Sequence, residues 1–189
     1  LRRAGEEAAE AWRTRRPLGF ALFRPEPETY RRVEDGPLDP DARALQRQLV
    51  EIFRRLGRRS DVVGRRGPAT FMILAPATDE LGIRRLAERF LAEMHHLSLL
   101  DPSGAQVPVV MRVGCHATGG PAAGGMDHEE LLSRAAGALL PTSQTPNESA
   151  PDGDPRILLW RHGLPQDRSI LEPEPLRHPS ASGGLARQA

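Results

Sequence analysis

Apolar residues recur along the chain with two different periods, which separate the predicted helices from the predicted strands. Between residues 41 and 56 large apolar side chains repeat every three to four positions, as on one face of an amphipathic helix: Leu45, Leu49, Ile52, Phe53 and Leu56. The same period predicts a helix over residues 79–97, with Thr78 or Asp79 as its N-cap. Unbroken apolar runs at residues 18–23 and 71–74 are typical of buried strands.

Shorter signals complete the order of elements. Alanine, glutamate and arginine over residues 2–15 predict a helix that ends before Pro17, and a last helix is predicted over residues 127–140. Residues 61–63 and 107–113 are predicted to be strands, and a turn over residues 64–70 joins the first of them to the run at 71–74. Helix, strand, helix, hairpin, helix, strand, helix predicts an α/β domain, with a mostly antiparallel central sheet flanked by helices.

The composition changes after Pro141 to proline, serine, glycine and charged residues. Such a segment has too little apolar surface to form a core of its own. We therefore predict one domain over residues 1–141 and a largely disordered tail over residues 142–189. The exception is a short strand at residues 156–160.

Charge and cysteine content narrow the classes of function. The 26 basic residues are all arginine and face 25 acidic ones, and the net charge of +1 argues against general nucleic-acid binding. The single cysteine, Cys115, excludes an internal disulfide and favours a reducing compartment. No apolar run approaches the ~20 residues of a membrane span. We expect a cytoplasmic piece of a longer protein that makes no membrane contact itself; any tether to the inner membrane would lie upstream.

Five strings of the sequence, in this order, resemble the GGDEF domain, the family of bacterial diguanylate cyclases. They are RRAGEEAAEAWRTRRPLGFALF, RRSDVVGRRGPATFMILAPATD, RRLAERFLAEM, VPVVMRVGCHA and EELLSRAAGALL. They are similar to the family's opening helix and strand, its signature hairpin, the following helix, the strand after it and the final helix. The resemblance covers residues 1–140 and implies the nucleotide-cyclase-like fold.

The same resemblance identifies the signature turn, which this chain has replaced. Where the family has Gly-Gly-Asp/Glu-Glu-Phe, the sequence reads Gly67, Pro68, Ala69, Thr70 and Phe71. Phosphoryl transfer needs carboxylates that hold two divalent metals over the triphosphate, and Ala69 and Thr70 have none. Pro68 also removes a backbone N–H and fixes φ where the family uses glycine.

Three further catalytic positions of the family are changed. The metal-binding aspartate at the end of the first strand falls on Arg24, and a cation cannot ligate magnesium. Glu26 or Glu28 would replace it only in a slipped register, and the prolines on either side of Glu26 are expected to disturb the strand end. The family's guanine-reading Asn and Asp fall near Glu34 and Arg43. We therefore expect no catalytic residue, no metal and no cofactor, and a chain that is not an enzyme.

A second site of the family is retained. Many GGDEF domains bind their product, cyclic di-GMP, through an Arg-x-x-Asp motif five residues before the signature turn, and Arg58 and Asp61 have this spacing. The arginine that completes the site in some members falls on Arg89. A guanidinium donates two parallel hydrogen bonds to phosphate or to guanine, and a carboxylate accepts from the N1 and N2 hydrogens of guanine.

The motif alone is weak, because Arg-x-x-Asp also occurs at residues 32–35, where no ligand is expected. On a surface, Arg58 and Asp61 would form an ion pair that contributes only about 0–1 kcal/mol. Register with the turn, together with Arg89, favours the ligand site. Arg65 and Arg66 are read as solvated, or as additional phosphate contacts.

Two other candidates for chemistry are interpreted as structural. His95 and His96 are adjacent in sequence and so do not share a helix face, which disfavours a metal site. Cys115 beside His116 suggests a thiol nucleophile, but a small buried residue is the preferred interpretation.

The resemblance thus predicts an inactive GGDEF domain that acts as a cyclic di-GMP receptor, similar to the degenerate domains that control exopolysaccharide secretion. Further partners would be a second copy of the chain or a signalling or secretion protein. The alternatives are a ligand-free dimerisation or interaction module and, less favoured, an active cyclase with displaced carboxylates.

Overall fold

The computed structural model describes residues 2–26, 40–66, 70–100, 103–118, 128–139 and 156–160. Within them lie four helices and seven strands. In chain order they are α1 Arg2–Thr14, β1 Leu18–Pro25, α2 Pro40–Leu56, β2 Val62–Arg66, β3 Thr70–Pro76, α3 Glu80–Met94, β4 Ser98–Leu100, β5 Gln106–Pro108, β6 Met111–Ala117, α4 His128–Ala138 and β7 Ile157–Leu159.

Five of the strands form one sheet in the order β2-β3-β1-β6-β7. Three of its four pairs of neighbouring strands are antiparallel, and the fourth pair, β6 and β7, is parallel. The buried strand β1 is central: Phe20 pairs with Leu74 of β3 on one side and with His116 of β6 on the other. The predicted fold class, a mostly antiparallel central sheet flanked by helices, is confirmed.

Alternation along the strands divides the apolar residues into two layers, one on each face of the sheet. Helices α2 and α3 cover one face, and α1 and α4 cover the other. The α2/α3 layer contains four phenylalanine rings in mutual contact: Phe23, Phe53, Phe71 and Phe90. Phe53 of α2 stacks on Phe71 of β3 with ring centroids 4.5 Å apart. This contact packs α2 against the start of β3, close to the end of the hairpin where β2 and β3 join.

The helices match their predictions closely, and Asp79 is the N-cap of α3, since its side chain accepts from the Gly82 N–H. The single strand predicted over residues 107–113 is wrong. The chain forms β5 and then β6, separated at residues 109–110: the Val109 N–H donates to the Leu97 carbonyl and so extends the β4–β5 pairing, whereas the Val110 carbonyl accepts from the Glu26 N–H at the end of β1. Strand β4 was missed: the predicted helix ended at residue 97 and residues 98–100 had no predicted element, whereas the helix stops at Met94 and a strand follows it.

The short strand predicted at residues 156–160 is confirmed as β7. It pairs with β6 from Val113 opposite Ile157 to Cys115 opposite Leu159. The sheet therefore includes a segment beyond the boundary predicted at residue 141. The rest of the predicted tail lies outside the described residues, so the division of the chain at that point stays a prediction.

Trp160 fixes the end of β7 against α4. The Arg134 guanidinium lies over the indole ring, 4.5 Å from its centroid, and the His116 ring meets the indole edge-to-face at 5.1 Å. Arg134 Nη1 donates to His116 Nε2 at 3.3 Å, and Arg134 also pairs with Glu130. The imidazole must be neutral to accept this bond.

The His116 environment predicts a pH-dependent stability. Burial, and next the Arg134 cation, lower the pKa of His116 from 6.5 to about 4. The unfolded chain then binds the proton at higher pH than the folded chain does, so stability is complete above pH ~6.5 and falls as the pH drops towards 4. A shift of this size corresponds to roughly 3 kcal/mol. We expect His116→Gln to reduce the loss of unfolding free energy between pH 7 and pH 4.5, measured by urea titration.

The exposed His95 provides the control for that measurement. His95→Gln should keep the pH dependence of the unmodified chain. Equal losses in His116→Gln and in the unmodified chain would contradict the assignment to His116.

A second prediction concerns the close approach of β6 and α4. A Cβ atom on Gly114 would lie 1.9 Å from the Ala135 carbonyl oxygen, a backbone atom that cannot turn away. We expect Gly114→Ala to lower the free energy of unfolding by about 3 kcal/mol, because strand and helix must separate. Gly104→Ala is the control: its φ of 85° is strained for alanine, but nothing lies within 4 Å, so about 1–2 kcal/mol is expected. A smaller loss at Gly114 than at Gly104 would show that α4 accommodates the methyl group.

Candidate functional site

The hairpin of β2 and β3 presents the positions that resemble the signature turn. Arg66 pairs with Thr70, so the strands close directly onto residues 67–69, which lie outside the described residues. Thr70 and Phe71 are buried, and Phe71 stacks on Phe53. The strands are longer than predicted, and the turn between them is correspondingly shorter than the predicted 64–70.

The end of β1 lies beside the start of β3, because Phe23 pairs with Phe71. Arg24, the next residue, pairs with Arg112 of β6. The expectation that prolines disturb this strand end is wrong: β1 continues to Pro25, and the Glu26 N–H donates to the Val110 carbonyl at 2.9 Å. A proline at a strand terminus removes a ladder bond that the last residue can do without.

These residues do not fit a divalent metal. Arg24 places a guanidinium where the resemblance expects a carboxylate, and Thr70 adds no negative charge. In the part of the chain that the structure describes, no three His, Cys, Asp or Glu side chains form a group that could hold a metal ion. Arg43 is exposed on α2, whereas Glu34 lies outside the described residues.

The Arg-x-x-Asp segment forms the tight connection between α2 and β2. The Arg58 N–H donates to Asp61 Oδ2 at 2.8 Å, and the Asp61 N–H donates to the Arg58 carbonyl at 3.0 Å. Asp61 is only 7% exposed, whereas the Arg58 side chain is exposed. The second carboxylate oxygen, Oδ1, is buried and accepts no hydrogen bond from the described residues. A buried carboxylate oxygen without a donor is costly, so it favours the approach of a donor.

Arg89 reaches the same connection from α3. Its Nη2 donates to the Leu56 carbonyl at 3.0 Å, and Leu56 is the last residue of α2, two positions before Arg58. The three residues predicted from the sequence therefore gather around the C-terminal end of α2. Two exposed guanidinium groups, and one carboxylate whose second oxygen accepts no bond from the described residues, can bind a ligand that carries both phosphate and guanine.

Two features of this site were missed from the sequence. The Leu56 carbonyl positions Arg89, and no side-chain pattern signals a main-chain acceptor. The backbone contact of Asp61 did have a signal, because aspartate side chains often bond to backbone N–H groups in turns. The carboxylate thus has a structural role in addition to the predicted binding role.

The remaining candidates have structural explanations. Cys115 is buried, and burial raises the pKa of its thiol, with Glu80 adding to the effect, so a thiolate nucleophile is disfavoured. His95 and His96 are exposed, and their rings meet edge-to-face with centroids 5.6 Å apart. Among the described helices, none is long and apolar enough to cross a membrane.

Comparison with solved structures identifies GGDEF diguanylate cyclase domains as structural neighbours. The chain is similar to the active GGEEF domain of a diguanylate cyclase from Vibrio cholerae, with a TM-score of 0.61, 17% identity, and coverage of 85% of this chain and 96% of that chain. It is also similar to the GGDEF domain of DgcB from Caulobacter crescentus in complex with c-di-GMP, with a TM-score of 0.64, 16% identity, and coverage of 84% and 86%.

A third neighbour is the FimX GGDEF domain from Pseudomonas aeruginosa, with a TM-score of 0.57, 15% identity, and coverage of 72% of this chain and 80% of that chain. No family model and no curated protein matches the sequence. At these identities the likeness establishes the fold, which is that of GGDEF domains.

Proposed function

We propose that this domain is a receptor for cyclic di-GMP that does not synthesise it, with Arg58, Asp61 and Arg89 as the binding residues. The observation that carries the proposal is the convergence of these three residues at the end of α2, with Asp61 Oδ1 buried and without a donor among the described residues. The c-di-GMP complex of the DgcB domain, which has the same fold, supports the choice of ligand.

Binding requires a local rearrangement. Asp61 Oδ1 is buried, so the N1 and N2 hydrogens of guanine reach it only if the connection between α2 and β2 opens. Arg89 must likewise exchange the Leu56 carbonyl for a ligand oxygen or base. The ligand would therefore change the contact between the end of α2 and α3. A change of this kind is what a partner protein, such as one that controls exopolysaccharide production, can recognise.

The proposed function predicts a ranked set of affinities for cyclic di-GMP, measured by calorimetric titration. Arg58→Ala removes a charge-assisted contact and should weaken cyclic di-GMP binding about ten- to a hundredfold. Arg89→Ala should weaken it less if that side chain contacts the ligand at the rim. GTP should bind far more weakly than cyclic di-GMP. Arg32→Ala, in the second Arg-x-x-Asp of the sequence, should leave the affinity unchanged.

Asp61→Asn separates ligand recognition from turn formation. The amide oxygen can still accept from the Arg58 N–H, but the amide nitrogen is a donor and faces the guanine donors unfavourably. We expect binding to fall at least tenfold while the melting temperature changes little, whereas Asp61→Ala should lower both.

The unmodified chain tests the proposal as a whole. If it gives no heat at tens of micromolar cyclic di-GMP, the range for a ~μM signalling receptor, the proposal that it is a receptor is wrong. A dimerisation or interaction module then replaces it.

The proposed function also predicts that the domain forms no cyclic di-GMP from GTP with magnesium or manganese. Arg24, Ala69 and Thr70 provide no carboxylate for the metals on which phosphoryl transfer depends. Chromatography of the reaction mixture should show unchanged GTP. Metal-dependent turnover that persists through purification to homogeneity would contradict this and would indicate displaced carboxylates.

A further inference from the structure

A groove separates α2 from β2 at one edge of the main sheet. Its volume is about 350 Å³, and residues of both elements line it: Arg43, Gln46, Arg47, Val50, Glu51, Arg54 and Arg65. None of these residues belongs to the proposed cyclic di-GMP site. The groove therefore calls for its own explanation.

Positive charge dominates this groove. Four of the seven described residues that line it are arginines, all exposed, and Glu51 is the one carboxylate among those seven. None of the four forms an ion pair with a side chain that the structure describes, in contrast to Arg55, which pairs with Glu93. From Arg43 to Arg54 the groove follows α2 for about 16 Å, at 1.5 Å per residue. Positive charges spread along this length favour an anionic ligand that extends along the groove.

The second feature of the groove is an edge strand. β2 is terminal in the sheet order and, within the described residues, pairs only with β3. Val63 is 39% exposed, and Arg65 lies opposite Phe71, so both side chains point to the face that α2 covers. An edge strand offers main-chain donors and acceptors to an added strand. Such a strand would run beside the arginines of α2.

We propose that the groove binds an extended acidic segment of a partner protein, which adds to β2 as a strand and places its carboxylates on Arg43, Arg47, Arg54 and Arg65. A single phosphate fits less well, because one anion cannot contact charges spread over three turns of helix. A single-stranded nucleic acid fits less well because none of the described residues that line the groove is aromatic and could stack on bases. Charged side chains at the edge would also disfavour edge-to-edge pairing of β2 with another chain, a role that needs no ligand.

The probe for this proposal is a fluorescein-labelled peptide of alternating glutamate and threonine, titrated by fluorescence anisotropy. We expect binding to the unmodified chain that weakens steeply with added salt. Arg47→Glu/Arg54→Glu should reduce the affinity at least tenfold. The matched control is Arg16→Glu/Arg85→Glu, which reverses two exposed arginines outside the groove and should leave the affinity within about twofold for the same net charge change. Circular dichroism checks that both variants fold.

Three comparisons complete the test. The same peptide with N-methyl groups on alternate residues keeps its charge but cannot extend the β ladder, so its affinity should fall at least tenfold. The proposal is overturned if the methylated peptide binds as tightly as the unmethylated one, or if both double variants lose affinity equally. It is also overturned if oligo-dT or inorganic triphosphate binds more tightly than the peptide, or if the peptide does not bind at all. Arg47→Glu/Arg54→Glu should still bind cyclic di-GMP, so that failure of this site is distinguishable from failure of the receptor function.

Discussion

The contact on which both proposed sites of this domain depend is the packing of Phe53 against the phenylalanine rings of the sheet. Phe53 stacks on Phe71, meets Phe23 edge-to-face and touches Phe90 of α3. Each aromatic pair contributes about 0.5–1.5 kcal/mol beyond the burial of its surface. One side chain thereby fixes α2 relative to β1, β3 and α3. The position of the α2 C-terminus, and so of Arg58 and Asp61, follows from it, because only a few residues separate them from Phe53.

The structure separates the requirements of catalysis from those of ligand binding. A cyclase site needs several carboxylates at the ends of β1 and of the hairpin, and here Arg24 and Thr70 stand at those places. The candidate ligand site needs only the connection after α2 and one arginine of α3, both of which the aromatic core positions. Among the described residues, the two places share core residues but no polar side chain, so a change of charge at one need not disturb the other. The proposed function, binding without synthesis, is compatible with this arrangement.

The sequence was sufficient for the fold because its strongest signals are apolar. The α2 stripe and the run at residues 71–74 lie in the two core layers as expected, whereas the order of the strands in the sheet was not predicted. Prediction failed where main-chain hydrogen bonds decide the structure. The break between β5 and β6 depends on the Val109 N–H, and the separate strand β4 depends on where α3 ends. For the candidate site, the resemblance to the GGDEF family pointed to Arg58, Asp61 and Arg89, but not to the buried oxygen of Asp61 or the bond from Arg89 to Leu56.

Near-neutral net charge conceals a strongly uneven distribution of arginine. The sequence alone read Arg65 as solvated or as a phosphate contact, because its relation to Arg43, Arg47 and Arg54 exists only when β2 lies beside α2. A helical stripe of arginine and one arginine of a strand become a single electrostatic feature through the same packing that forms the ligand site. Helix α2 thus connects the two: its C-terminal end bears the proposed nucleotide site, and its flank bears the proposed peptide groove. β2 begins at Val62, directly after Asp61. The edge that would accept a partner strand therefore lies next to the connection that is proposed to open on nucleotide binding. This proximity provides a physical route by which a nucleotide could control a protein contact without any chemistry in the hairpin.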